Sequence, residues 1–165
     1  MDPVTVSTTI EKPRELVYEY LADVANLSEF MDHFLTDWHL LRIDSYGKGA
    51  GVRFRSTGRM DRFGWGELNV LDTQPPFKIT MVGRGGKYNR IETFAEWRLD
   101  PAGPGSTRVE FSYETNPPLP SDKLIEAVSG RRGWFKRQSK KGLKRLQAIL
   151  EDDRRRGTRT TVAGL

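Results

Sequence analysis

The sequence predicts an α+β fold in which a seven-stranded antiparallel sheet wraps around a long C-terminal helix. One strand and two helices come first, six strands follow, and the helix closes the chain. Two patterns predict this order. Between residues 37 and 115, short segments of alternating polar and apolar residues are separated by Gly, Pro and Asp, which is typical of an antiparallel sheet. Between residues 121 and 151, apolar residues recur at helical spacing and indicate an amphipathic helix.

The N-terminal region is expected to form the first strand and both short helices. The segment VTVSTTI, residues 4–10, alternates and is rich in β-branched residues, as strands are. Lys12-Pro13 is expected to open the first helix because proline is favoured in the first turn. A second short helix is expected over residues 26–34, with Ser28 as its cap.

Six strands are expected next, and the clearest is the last, in which Val109, Phe111 and Tyr113 alternate with polar residues. The predicted strands cover residues 38–44, 52–60, 64–71, 78–82, 89–99 and 107–115. The long helix that follows has an apolar side made of Leu124, Val128, Phe135, Leu146 and Ile149. Gly130 and Gly133 interrupt this helix, and they predict a kink or a division in two.

Length and composition predict one domain over residues 1–153 and a disordered basic tail over residues 154–165. The chain has 165 residues, of which 36% are hydrophobic, enough to bury the core of one domain. It contains no cysteine, which excludes disulfides, thiol nucleophiles and iron–sulfur clusters. It has neither a signal-peptide pattern nor an apolar run of membrane-spanning length. We therefore expect a cytoplasmic protein.

Positive charge is concentrated near the C-terminus. Residues 131–159 contain twelve Lys or Arg and three Asp or Glu, an excess of nine, whereas the whole chain has a net charge of +5. The simplest interpretation is the solvated outer side of an amphipathic helix. A nucleic acid, a ribosome or an anionic membrane is an alternative partner for this basic face.

Several local sequences resemble the SRPBCC superfamily of START-like proteins, which includes polyketide cyclases and dehydrases and lipid-transport proteins. They are the opening V-x-V-x-x-x-I followed by KPRELVYEYLAD, the turn and strand GAGVRFR, the strand end between Leu71-Asp72 and Pro75-Pro76, and the closing KGLKRL. The resemblance covers about residues 4–152. It implies the helix-grip fold and binding of a hydrophobic small molecule between sheet and helix, whereas the motifs themselves are structural.

Alternation along each predicted strand indicates which side chains face the long helix. The candidate cavity residues are Phe30, Phe34, Trp38, Phe54, Ser56, Met60, Leu68, Met81, Ala95, Trp97, Phe111, Tyr113, Val128, Phe135 and Ser139. Small members such as Ser56, Ala95 and Ser139 leave space where a filled core would carry Leu or Phe. Arg84, Tyr88 and Tyr113 are candidate polar anchors for a ligand oxygen. The alternative for the aromatic members is a filled core.

No catalytic set, metal site or cofactor site is predicted. His33 and His39 lie near Asp32 and Asp37, but their spacing is not that of zinc ligands on a helix. Glu92 and Glu96 lie on one face of a strand, with arginines beside them. This pattern favours ion pairs on the solvent-facing side of the sheet over acid–base chemistry.

Three functions are compatible with these patterns. The first is binding or transport of a lipid, isoprenoid or polyketide-like molecule in the cavity. The second is a polyketide cyclase or aromatase that uses the same cavity. The third is a ribosome- or membrane-associated module that acts through the basic helix face. Ligand identity and oligomeric state are left open.

Overall fold

The computed structural model describes residues 1–58, 63–154 and 156–164. Within these ranges the strands are β1 (Val4–Ile10), β2 (Leu35–Leu40), β3 (Gly51–Ser56), β4 (Trp65–Gln74), β5 (Lys78–Gly85), β6 (Ile91–Gly103) and β7 (Ser106–Asn116). The helices are α1 (Arg14–Ala22), α2 (Leu27–Met31), α3 (Pro120–Val128) and α4 (Arg131–Asp152). Short 3₁₀ turns lie at Val24–Asn26 and Lys87–Asn89. The predicted α+β class is confirmed.

All seven strands form one antiparallel sheet in the order β1-β7-β6-β5-β4-β3-β2. β1 pairs with β7, so that the chain's first strand lies at one edge and β2 lies at the other. The sheet curls around α4, as the predicted helix-grip arrangement requires. Alternation places Trp97 opposite Phe111 and both side chains on the buried, concave side.

α4 packs its apolar side against the concave face of the sheet and against α2. Leu143, Leu146 and Ile149 are almost fully buried there, and each such side chain contributes roughly 1.5–3 kcal/mol. Arg145 of α4 donates a hydrogen bond to Asp32 at 2.5 Å, which fixes the helix to the end of α2. The described part of the chain contains no helix that is both long and apolar enough to span a membrane.

The predicted long helix is divided in two at Gly130. This residue has a φ of 65°, in the left-handed region that glycine adopts at low cost. Because of this division, the buried and exposed sides of α3 do not follow the helical register of α4. Leu124 and Val128, predicted on the buried side of one continuous helix, are 64% and 72% exposed. A division was one of the two outcomes predicted from the glycines, but the assignment of Val128 to the cavity is wrong, because it kept one apolar stripe across the break.

The two glycines at this junction should respond oppositely to alanine. Gly130→Ala is expected to lower the free energy of unfolding by about 1 kcal/mol, because alanine is strained at positive φ. Gly133→Ala is expected to raise it by up to about 1 kcal/mol, because Gly133 lies in helical conformation and alanine favours helix. No described atom lies within 4 Å of a Cβ built at either position, so crowding does not intervene. Urea unfolding of both variants checks the signs, and equal effects would contradict this account.

The C-terminal segment differs from the expectation of a disordered tail. Residues 156–164 run along α2 and the edge of β2. Thr160 is 2% exposed, and its hydroxyl donates to the Ser28 hydroxyl at 2.7 Å. The amide of Leu40 on β2 donates to the carbonyl of Thr161 at 3.0 Å. The segment thus supplies hydrogen-bond partners to buried polar groups and to the backbone of an edge strand. Without the segment, these polar groups would be unpaired.

Two arginines of this segment lie on carboxylates of the N-terminal half. Arg159 pairs with Asp23 at 2.6 Å, and Arg156 lies 3.6 Å from Glu29, whose side chain is 5% exposed. The Tyr20 hydroxyl donates to the same Glu29 carboxylate, and burial together with this hydrogen bond raises the pKa of Tyr20. Sequence patterns do not reveal these pairings because the partners are more than 120 residues apart.

Candidate ligand-binding site

An apolar cavity lies between the concave face of the sheet and the α3–α4 region. Its walls include nine of the predicted cavity residues, eight of them on strands and one on α4. They are Trp38, Phe54, Ser56, Leu68, Met81, Trp97, Phe111, Tyr113 and Phe135. The alternation is reliable here because successive side chains of a strand must point to opposite faces.

Five other predicted cavity residues lie elsewhere, and one falls outside the described ranges. Phe30, Phe34, Ala95 and Ser139 are buried in the surrounding core but do not border the cavity. Phe30 packs edge-on against Trp97, with ring centroids 6.0 Å apart, and so supports the wall from behind. Val128 is exposed to solvent, and Met60 lies outside the described residues.

The free space inside the cavity is small, about 50 Å³. Water molecules fit in such a space, whereas pockets for drug-sized ligands measure roughly 300–1,000 Å³. Aromatic rings occupy most of the interior. The rings of Trp97 and Phe111 are 4.3 Å apart between centroids, and the ring of Tyr113 stacks on that of Phe135 at the same distance. A larger ligand would have to displace Phe135 and the helical segment that carries it.

One end of the cavity is polar, and its main residue, Glu126 of α3, was not predicted. Glu126 is 8% exposed. Its carboxylate accepts a hydrogen bond from the Thr115 hydroxyl at 2.7 Å and pairs with the amino group of Met1. Thr93, which lies opposite Thr115 in the pairing of β6 with β7, and Arg131 also border the cavity. In the sequence, the only sign that α3 turns a polar side towards the cavity is the spacing of Asp122 and Glu126, which places both on one face of a helix.

An ion pair holds α3 over this polar end. Arg90, which follows the Lys87–Asn89 turn, donates two hydrogen bonds to the Asp122 carboxylate at 2.7 and 2.6 Å. These hydrogen bonds hold the pKa of Asp122 below its ordinary value. The contribution of the pair is therefore present above the ordinary carboxyl pKa and is lost as the pH falls through the lowered one. At neutral pH, this ion pair therefore joins the first turn of α3 to the loop between β5 and β6.

Two of the three predicted polar anchors do not reach the cavity. The Arg84 side chain is 64% exposed and lies 3.9 Å from Glu92 on the outer face of the sheet. The adjacent Gly85 borders the cavity, so alternation directs Arg84 outwards. Tyr88 is 83% exposed, in a turn where its φ is 58°. Tyr113 is the predicted anchor that does border the cavity.

The residues weighed for a metal site have other partners. His33 lies between the carbonyl of Gln138 at 3.2 Å and Arg145 at 3.0 Å, and burial lowers its pKa. The ring of His39 lies 2.8 Å from the carbonyl of Asp37. In the ranges that the structure describes, no three potential ligands lie close enough to hold a metal ion.

Comparisons with known proteins agree with this architecture. A family model described as "Polyketide cyclase / dehydrase and lipid transport" matches residues 1–151. A search of curated proteins found no match. Three similar solved structures are the KanY protein, truncated norcoclaurine synthase from Thalictrum flavum, and DynU16, a putative protein of the dynemicin biosynthetic locus.

These structural similarities extend over most of the chain. The TM-scores are 0.71 for KanY, 0.66 for norcoclaurine synthase and 0.60 for DynU16, with sequence identities of 14%, 10% and 19%. The matches cover 90%, 92% and 95% of this chain and 96%, 94% and 50% of the respective structures. At such identities the likeness shows the fold alone.

Proposed function

The chain belongs to the polyketide cyclase / dehydrase and lipid transport family, and from this premise we propose that it binds a hydrophobic small molecule between the sheet and α4. The resemblance to START-like SRPBCC proteins in the sequence is confirmed by the family match. The ligand class that we propose is a lipid, an isoprenoid or a polyketide-like molecule.

The observation that carries the proposal is an apolar cavity with a polar end. Phe54, Met81 and Trp97 border its apolar part, and Thr115 with Glu126 borders its polar part. Such a lining suits a molecule with a mainly apolar body and one oxygen-bearing group, because the Thr115 hydroxyl and the Glu126 carboxylate, which bond each other, can accept a further hydrogen bond from a ligand hydroxyl. Any water in the apolar part would make few hydrogen bonds to the walls, which favours its displacement by an apolar group.

Space for the ligand would come from movement at the junction of α3 and α4. Phe135 forms the cavity wall near the start of α4, and Gly130 allows the chain to change direction there. α3 is held from one side by the pair between Arg90 and Asp122. Rotation of this segment would enlarge the cavity and would break the contacts of Glu126 with Thr115 and Met1.

Native mass spectrometry of the full chain, purified without denaturation, tests the proposal first. We expect a co-purifying hydrophobic molecule, which extraction identifies, or saturable displacement of a fluorescent fatty acid or of a fluorescent polyketide-like aromatic. A clean unliganded mass together with no binding of either probe would contradict the proposal.

A cyclase-like enzyme is the second candidate, and the buried carboxylate of Glu126 favours it. A carboxylate that borders a water-poor cavity and is hydrogen-bonded by Thr115 could move a proton during a cyclisation. Norcoclaurine synthase, an enzyme by its name, has the same fold. Glu126→Gln separates the two candidates: an enzyme loses turnover while substrate affinity is retained, and a carrier shows no turnover with either side chain.

A further inference from the structure

The helix α3 is turned so that its apolar side faces solvent. Leu124, Ile125 and Val128 are 64%, 56% and 72% exposed, whereas Glu126 on the opposite side is buried. A surface helix ordinarily buries its apolar side against the core. A continuous exposed apolar side of this kind marks a surface that contacts another apolar body.

An exposed aromatic loop lies beside α3. Tyr88 is 83% exposed and has a φ of 58°, a conformation that costs energy for a residue other than glycine. The Lys87 ammonium lies 5.2 Å from the Tyr88 ring centroid and 5.7 Å from that of Phe63. The bidentate pair of Arg90 and Asp122 joins this loop to α3.

We define the mouth patch as Phe63, Lys87, Tyr88, Lys123, Leu124, Ile125 and Val128. The three segments that carry it also border the cavity. Gly64 and Trp65 follow Phe63, Gly86 precedes Lys87, and Glu126 lies within α3, and all four border the cavity. The patch is therefore carried by segments that also form part of the cavity wall.

We propose that the mouth patch docks on an anionic lipid surface, so that the cavity opens towards the bilayer. Segments that lie in the membrane interface combine apolar residues such as Leu, Ile and Val with a Tyr and flanking Lys, as this patch does. The lysines would meet anionic headgroups while the apolar side chains enter the acyl boundary. This inference rests on the proposed function for the ligand's source, yet docking is measurable without any ligand.

The positive charges of the mouth patch favour a lipid surface over a second copy of the chain as its partner. In a two-fold dimer through α3, Lys87 and Lys123 of both copies would be brought together, which is unfavourable. The exposed side of α4 carries Lys136, Arg137, Lys140 and Lys144, which form no ion pair within the described ranges. An anionic surface is complementary to all these charges.

Flotation of the full chain with lipid vesicles tests the inference. We expect binding to vesicles of phosphatidylcholine with phosphatidylglycerol, weaker binding at high salt, and little binding to phosphatidylcholine alone. The variant Leu124→Ser/Val128→Ser should partition at least about tenfold less. Lys87→Glu/Lys123→Glu should have a similar effect, through charge rather than apolar area.

Ile43→Ser provides a matched control, because Ile43 is 90% exposed but lies outside the mouth patch. It should bind vesicles like the unmodified chain, and melting temperatures show whether each variant is folded. Absence of vesicle binding, or equal binding by Leu124→Ser/Val128→Ser, would overturn the inference. So would a concentration-dependent dimer that this variant abolishes in the absence of vesicle binding.

The fatty-acid displacement assay, run on the same samples, distinguishes the two proposals. Ligand binding without vesicle binding would overturn the docking inference and leave the proposed function intact. Salt-sensitive vesicle binding with neither a co-purifying ligand nor probe binding would support docking and overturn the proposed ligand site.

Discussion

Thr93→Phe is expected to weaken ligand binding by about 100-fold while the protein stays folded. Thr93 borders the cavity and is 8% exposed, opposite Gly83 of β5 and Thr115 of β7. A phenyl ring there would occupy the space that the ligand needs. A steric cost of about 3 kcal/mol corresponds to a loss in affinity of about 100-fold. Titration with the probe bound by the unmodified chain measures the change.

Two controls separate loss of space from other effects. Glu92→Phe places the same ring on the outer face, where Glu92 is 61% exposed, and should leave affinity unchanged. Thr93→Val keeps the volume and removes the hydroxyl, so any loss with this variant reports a polar contact. Ligand binding by Thr93→Phe equal to that of the unmodified chain, with a comparable melting temperature, would place the ligand outside this cavity.

Removal of residues 154–165 is expected to lower the free energy of unfolding by about 3 kcal/mol. Truncation removes the bond from Thr160 to the buried Ser28 hydroxyl and the partner of the Leu40 amide. Buried polar groups left unpaired cost about 1–3 kcal/mol each. The loss of Arg156 also leaves the buried carboxylate of Glu29 with less positive charge nearby. Urea unfolding of the full and truncated chains measures the difference.

A point variant tests the same contact without shortening the chain. A Cβ built on Gly157 would lie 2.4 Å from an oxygen of Asp32 and 3.0 Å from the carbonyl of Glu29. Asp32 is held by Arg145, so Gly157→Ala should destabilise the protein, unlike Gly133→Ala. A disordered tail, which sequence alone predicts, would make both the truncation and Gly157→Ala neutral.

The inward faces of the strands were predictable because they depend on local geometry. Phe54, Met81, Trp97 and Phe111 line the cavity as alternation indicates, since a strand has a period of two wherever it lies. Exact strand ends were less predictable. The predicted strand over residues 78–82 extends to Gly85, because pairing with β6 rather than composition determines where it ends.

The polar features of the site were not predictable from residue pattern. Glu126 was not among the predicted cavity residues, and its burial depends on the orientation of α3 after the break at Gly130. Such contacts depend on the relative placement of distant elements, which a local pattern does not encode.

The sequence by itself determined the fold class, the order of the elements and the side of each strand that is buried. These follow from short-range periodicity, which reflects the backbone geometry of strands and helices. Only the tertiary structure decided that α3 exposes its apolar side, that Glu126 closes a small cavity, and that the basic tail lies on α2. Each of these depends on packing and charge pairing between residues far apart in the chain, where local propensity has no influence.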